Sequence, residues 1–220
     1  MSETTLQLEL DNIQSELADM ARQACDHVAV AIEAWVEADT DLAESVKRAD
    51  TEIDNKEIEI ETKCRHLVSV FPLFGEDLRR VVSTLRLIML FESMGDLASG
   101  IAKRVRKLDR LNALVADTEI EQMMAMARDA AESAAQLVAS PSLEVAYKII
   151  EGDASLNKIN KRIFKRIASA EEMNPTLPDG NEARLHLLLL ARTLERIGDI
   201  AKHVGEEIVF QLVGESARHS

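Results

Sequence analysis

The sequence predicts an all-α protein of six helices, arranged as two tandem three-helix bundles related by a pseudo-twofold axis. Three observations lead there. Apolar residues recur at helical spacing through nearly all of the 220-residue chain. No run of alternating β-branched residues bounded by turn residues breaks that pattern. One stretch of sequence also repeats at a fixed distance, with Glu92-x-x-Gly95-Asp96 returning as Glu195-x-x-Gly198-Asp199, an offset of 103 residues.

The elements follow in order. A first helix is predicted from about Leu6 to Ala38. Thr40 and Asp41 can cap a second, whose stripe of Leu42, Val46, Ile53, Ile60, Cys64 and Leu67 runs to the break at Phe71-Pro72. Phe74 and Gly75 open a third, which ends in the basic run Lys103, Arg104, Arg106 and Lys107, suited to the negative end of the helix dipole. Thr118 with Glu121 forms a capping-box pattern for a fourth. Ser140-Pro141 suggests a cap and a proline at the first helical position of a fifth, predicted to stop near Asn174-Pro175. A turn from Pro175 to Gly180 leads to a sixth, from about Asn181 to Val213. The 103-residue offset sends Asp50 to Asp153, Ile53 to Leu156, Asp54 to Asn157, Pro72 to Pro175 and Ser15 to Thr118, so all three helices of the unit are duplicated. Residues 1–110 and 111–220 are the two expected domains.

With 46% hydrophobic residues, such a chain can bury a core without disulfides or a structural metal. Its two cysteines, Cys25 and Cys64, lie far apart within helical patterns and read as small buried apolar residues in a reducing compartment. The opening residues are acidic where a signal peptide is basic and then apolar, and no apolar stretch approaches the roughly 20 residues of a spanning helix, so a cytoplasmic location without membrane insertion is expected. The net charge of −13 argues against nucleic acid or an anionic membrane as principal partner. Residues 1–62 carry 17 acids and 4 bases, so one end of the chain holds the whole surplus.

Side chains at i and i+4 share a helix face, which makes carboxylate pairs of Glu92 with Asp96 and of Glu195 with Asp199. Both pairs point away from the main apolar stripes, Leu87, Met94, Ala98, Ile101 and Val105 in one helix and Leu190, Ile197, Ala201 and Val204 in the other. Asp50 and Asp54, with their counterparts Asp153 and Asn157, stand on the neighbouring helix of each bundle. Each half can thus bring four oxygen-bearing side chains together between two helices, a hard-ligand set suited to Mg²⁺, Mn²⁺, Ca²⁺ or iron better than to zinc or copper. His203, one turn beyond Asp199, could add an imidazole in the second half, where the first half has Gly100. Gly95 and Gly198 each cost about 1 kcal/mol relative to alanine in a helix, so close approach of a neighbouring helix is expected to offset them.

The blander reading makes the acidic pairs solvated surface or salt-bridge partners of Arg79, Arg86 or Arg184. The basic runs Lys103 to Arg110 and Lys158 to Arg166 read as solvated helix surface rather than as an anion site, and His27, His66, His186 and His219 lack ligand spacing.

Asp50-x-x-Ile53-Asp54, Pro72, Asp77-Leu78-Arg79 and Glu92-x-x-Gly95-Asp96, followed by Asp153-x-x-x-Asn157 and Leu194-Glu195-Arg196-Ile197-Gly198-Asp199, together resemble the PhoU family of phosphate-uptake regulators. The resemblance spans both halves. It implies a cytoplasmic negative regulator acting between the ATPase subunit of a phosphate ABC transporter and the sensor histidine kinase of the phosphate regulon, and a homodimer is expected. It further implies metal ions, iron, manganese, magnesium or zinc, on the duplicated acidic motifs. The family often has Asn four residues after the motif Asp, where this chain has Gly100 and His203; Asn157 replaces an Asp, and Glu182 stands where Arg79 would recur. The two sites are therefore expected to differ in charge and metal preference.

A ferritin-like carboxylate-bridged oxidase would need Glu-x-x-His on facing helices, whereas Ile200 stands three residues before His203. With no nucleophile-base pair or glycine-rich phosphate loop, a non-enzymatic adaptor is expected. A metal-free helical scaffold is the remaining alternative.

Overall fold

The computed structural model describes residues 3–111, 117–152, 154–168 and 181–215, and among these it contains helices and no strand. The helices are α1 (Glu3–Val36), α2 (Thr40–Val70), α3 (Gly75–Arg110), α4 (Thr118–Ala139), α5 (Leu143–Gly152), α6 (Ala154–Ala168) and α7 (Asn181–Val213). The fifth predicted helix is thus described as two segments, α5 and α6, flanking residue 153. Its expected end and the turn from Pro175 to Gly180 lie outside the described residues.

Helix boundaries are set by residues one or two places from those the sequence suggested. Ala38 adopts a left-handed φ of 53° that terminates α1. Asp39, not Thr40 or Asp41, caps α2, because its extended backbone lets Oδ1 accept from the amides of Asp41 at 2.8 Å and Leu42 at 3.0 Å. Asp117 replaces the expected Thr118–Glu121 box, accepting from Glu119 N at 3.0 Å and Ile120 N at 3.1 Å. Ser140 closes α4 rather than opening α5; Ser142 Oγ faces the Val145 amide at 3.5 Å instead. At α2 and α4 an aspartate directly before the first helical residue outcompetes a candidate already inside the helix, whereas at α5 the start falls two residues later than expected because Ser140 is taken up in closing α4.

Helices α1, α2 and α3 pack on one another, and α7 packs on α4, α5 and α6. The two groups join where α3 meets α7 and α1 meets α4. The predicted stripes are buried: Leu87, Met94, Ala98, Ile101 and Val105 in α3, and Leu190, Ile197, Ala201 and Val204 in α7. Burying such side chains stabilises by about 1.5–3 kcal/mol each for the larger ones, which makes these two helices the central spine.

Polar groups fix the register of that spine. Glu207 is buried on α7, accepting from Ser83 Oγ at 3.0 Å and from Arg86 Nη1 at 3.1 and 3.2 Å. The Arg86 guanidinium lies over the Phe210 ring, 5.3 Å from its centroid. One turn away Arg79 Nε donates to the Gln211 carbonyl at 3.3 Å. These pairings make α3 and α7 antiparallel and, followed along the helices, bring the Glu92–Asp96 and Glu195–Asp199 motifs to the same level. On the other joint, Gln14 Nε2 donates to the Val138 carbonyl at 2.9 Å.

Both cysteines are free, and burial pushes each thiol up to about 11, as fits a packing role. The basic run of α6 is not simply solvated. Arg166 pairs with the buried Asp117 carboxylate, and Arg162 Nε bonds Glu119 at 2.9 Å, so α6 clamps the start of α4.

Candidate metal centre

In the first half, the site lies where α2 crosses α3, and Gly95 permits that crossing. A Cβ added to Gly95 would stand 3.0 Å from Ile53 Cδ1 and 3.4 Å from Asp50 Oδ1. The glycine's helix cost is therefore exchanged for close approach of α2, and the approach delivers Asp50 to the motif.

Asp50, Glu57 and Glu92 are half-buried, whereas Asp54 and Asp96 are exposed. Burial raises the pKa of Asp50, and Asp96 and Asp54 raise it further, against a neighbouring Ser99 hydroxyl and His27 that lower it. Glu92 is raised by burial and then by Asp96, Glu57 and Asp54. Glu57 is raised by burial and then by Glu61 and Asp54. The four predicted first-half carboxylates thus share one field, and two further acids belong to it. Asp50, Asp54, Glu57 and Glu61 fall at spacings of four, three and four residues, which is one face of α2. That spacing is present in the sequence itself.

None of Asp50, Asp54, Glu92 and Asp96 takes part in an ion pair among the described residues. Arg79 and Arg86, the salt-bridge candidates, are turned instead toward Gln211 and Glu207 on α7. His27 of α1 faces Asp50, but burial lowers its pKa, so it supplies no standing charge at neutral pH. An all-oxygen, negatively charged, partly desolvated set suits a hard divalent cation. Among the described residues, however, no three His, Cys, Asp or Glu side chains are gathered into a closed ligand group. A cation here would be held between helix faces, with the exposed Asp54 and Asp96 side chains free to turn toward it.

The second half differs. Asp153 lies outside the described residues. Glu195 is buried at 4% exposure and pairs with Arg192, a residue the sequence reading did not consider. Asn157 and Asp199 are half-buried, neither is without a partner, and His203 is exposed on α7. A buried carboxylate that already holds a guanidinium has less need of a metal.

Comparison with known proteins adds a family. The PhoU domain matches this chain twice, at residues 17–105 and 120–208, both edges displaced by the 103 residues that separate the acidic motifs. The chain is 30% identical over 208 residues to a phosphate-specific transport system accessory protein PhoU homolog of Caulobacter vibrioides, covering 94% of this chain and 89% of that one. The crystal structure of PhoU from Pseudomonas aeruginosa superposes with a TM-score of 0.88 at 23% identity, covering 95% of this chain and 99% of that one. The phosphate transport system regulatory protein PhoU from Streptococcus pneumoniae gives 0.83 at 22% identity, with coverage of 96% and 98%.

Proposed function

Because the chain belongs to the PhoU family, we propose that it is a metal-binding adaptor that restrains phosphate uptake and phosphate-starvation signalling, linking a phosphate ABC transporter to a sensor histidine kinase. Its coarse role is that of a regulatory accessory protein in phosphate transport, not an enzyme. The observation that carries the finer reading is the set of Asp50, Asp54, Glu92 and Asp96 between α2 and α3, none of which is ion-paired among the described residues and whose pattern recurs in sequence within both family-matched segments. Asp50, Asp54, Glu92 and Asp96 would hold the cation in the first half, and Asp153, Asn157, Glu195, Asp199 and His203 in the second. The metal would supply charge neutralisation, turning a self-repelling acidic face into one able to bridge an acidic group of a partner.

In this reading the protein works on the cytoplasmic side as a homodimer of chains, each divided near residues 110 and 111. No described helix is long and apolar enough to cross a membrane. Reaching a membrane transporter would therefore depend on docking to its ATPase subunit. The test is twofold. Deleting the gene should leave phosphate-uptake genes expressed when phosphate is plentiful, and the purified chain should retain kinase and ATPase subunit less well in chelator than with Mn²⁺ or Mg²⁺. Normal phosphate-gene control in the deletion strain, with retention indifferent to chelation, would contradict the proposal.

A further inference from the structure

One turn past the acidic motif, the same two helices enclose a cavity of about 340 Å³ with the opposite electrical character. Lys47, Asp50, Ser99, Gly100, Lys103 and Arg106 line it. Lys47 and Lys103 are exposed and form no ion pair among the described residues, although Arg106 is engaged by Glu44. The enclosed Ser99 Oγ lies beside the Asp50 carboxyl and makes no hydrogen bond of good geometry. Lys47, Lys103 and Arg106 outnumber the two carboxylates beside them, Asp50 and the Glu44 that engages Arg106, which leaves a local positive excess in a chain with a net charge of −13.

The duplication shows that the fold does not require this arrangement. At the 103-residue offset, Lys47 is replaced by Ile150, Lys103 by Glu206 and Arg106 by Val209, while Ser99 and Gly100 become Lys202 and His203. Glu206 is buried in the second half, so the two halves carry opposite charge at equivalent points of one scaffold. The sequence alone made Lys103 to Arg110 a solvated face, because the contribution of Lys47 from α2 is visible only once the helices are packed.

We propose that this cavity is a first-half binding site for a small phosphate-class oxyanion, held by Lys47, Lys103 and Arg106 with Ser99 Oγ as a hydroxyl donor. Ammonium and guanidinium groups make short charge-assisted hydrogen bonds to such oxygens, and the Ser99 hydroxyl can turn from Asp50 to add a further donor. The site stands apart from the proposed metal ligands except at Asp50, and needs no cation in order to act.

The experiment is an NMR titration of the full chain with inorganic phosphate, in chelator and at constant ionic strength maintained with chloride. Saturable shifts should appear at the backbone amides of Ser99, Gly100 and Lys103, and not at Lys202, His203 and Glu206. Lys47→Gln with Lys103→Gln should weaken binding by about tenfold or more, with the melting temperature unchanged because neither lysine holds an ion pair. Phenyl phosphate serves as a parallel probe: binding as tight as that of inorganic phosphate would assign the site to a phosphoryl group carried on a larger molecule, and selective binding of inorganic phosphate would assign it to the free ion. Absence of saturation with both probes, equal shifts in the two halves, or unaltered affinity in the double variant would overturn the proposal.

Discussion

Among the described residues, the first half sets Asp50, Asp54, Glu92 and Asp96 against one another with no ion-paired cation, whereas the second buries Glu195 against Arg192. The position of Arg192 corresponds to Met89, which is 60% exposed in the first half. The difference teaches that duplication preserved the spacing of the carboxylates while their charge balance diverged. A single guanidinium decides whether a buried carboxylate is satisfied within the protein or must look outside it.

The largest expected effect concerns the two glycines that let helices approach the spine. A Cβ at Gly205 would meet the Ala146 carbonyl oxygen at 3.0 Å and Ile150 Cγ1 at 3.1 Å, so backbone would have to move. At Gly95 the nearest atom is the end of the Ile53 side chain. Gly205→Ala should destabilise by about 1–3 kcal/mol, as overpacking does. Gly95→Ala should stay within about 1 kcal/mol of wild type, because the gain in helix propensity offsets a smaller adjustment. Denaturant unfolding of both variants checks this, and equal costs would mean that the Ala146 backbone yields as readily as the Ile53 side chain.

A smaller effect is the pH dependence of the first-half acids. Asp50, Glu57 and Glu92 have folded pKa values raised above the ordinary 3.8 and 4.5, so the folded state binds their protons more tightly than the unfolded chain does. Their ionised forms disfavour the fold above the raised values, and that burden lifts as the pH falls through them. In chelator, Asp50→Asn with Glu57→Gln and Glu92→Gln should raise the melting temperature at about pH 7 by about 2–4 °C. The advantage over wild type should shrink as the pH falls through the raised values toward the ordinary carboxylate range. A constant difference across that range would remove the electrostatic basis of the comparison.

The helices and the carboxylate pairs were legible in the sequence because both depend on spacing along one chain. Gly95 illustrates the point: its cost within a helix predicted a close neighbour, and Ile53 is that neighbour. Caps were less legible, since Asp39 and Asp117 compete with equally plausible residues one place away and only backbone geometry separates them. Contacts between the halves were hidden altogether. Glu207 carries no pattern that distinguishes it from Glu206, and its partners Ser83 and Arg86 lie more than 120 residues away. Arg192 gives no signal in the repeat, because a repeat marks residues that recur and the partner of Glu195 is one that does not.

The most direct measurement is calorimetric titration of chelator-stripped protein with Mn²⁺, comparing wild type with Glu92→Gln plus Asp96→Asn, Glu195→Gln and Arg192→Met. The account predicts that the first-half double variant weakens the tightest Mn²⁺ site by about tenfold or more, that Glu195→Gln leaves it nearly unchanged, and that Arg192→Met strengthens binding in the second half. Equal losses from the two halves, or Mn²⁺ binding untouched by the first-half variant, would contradict it.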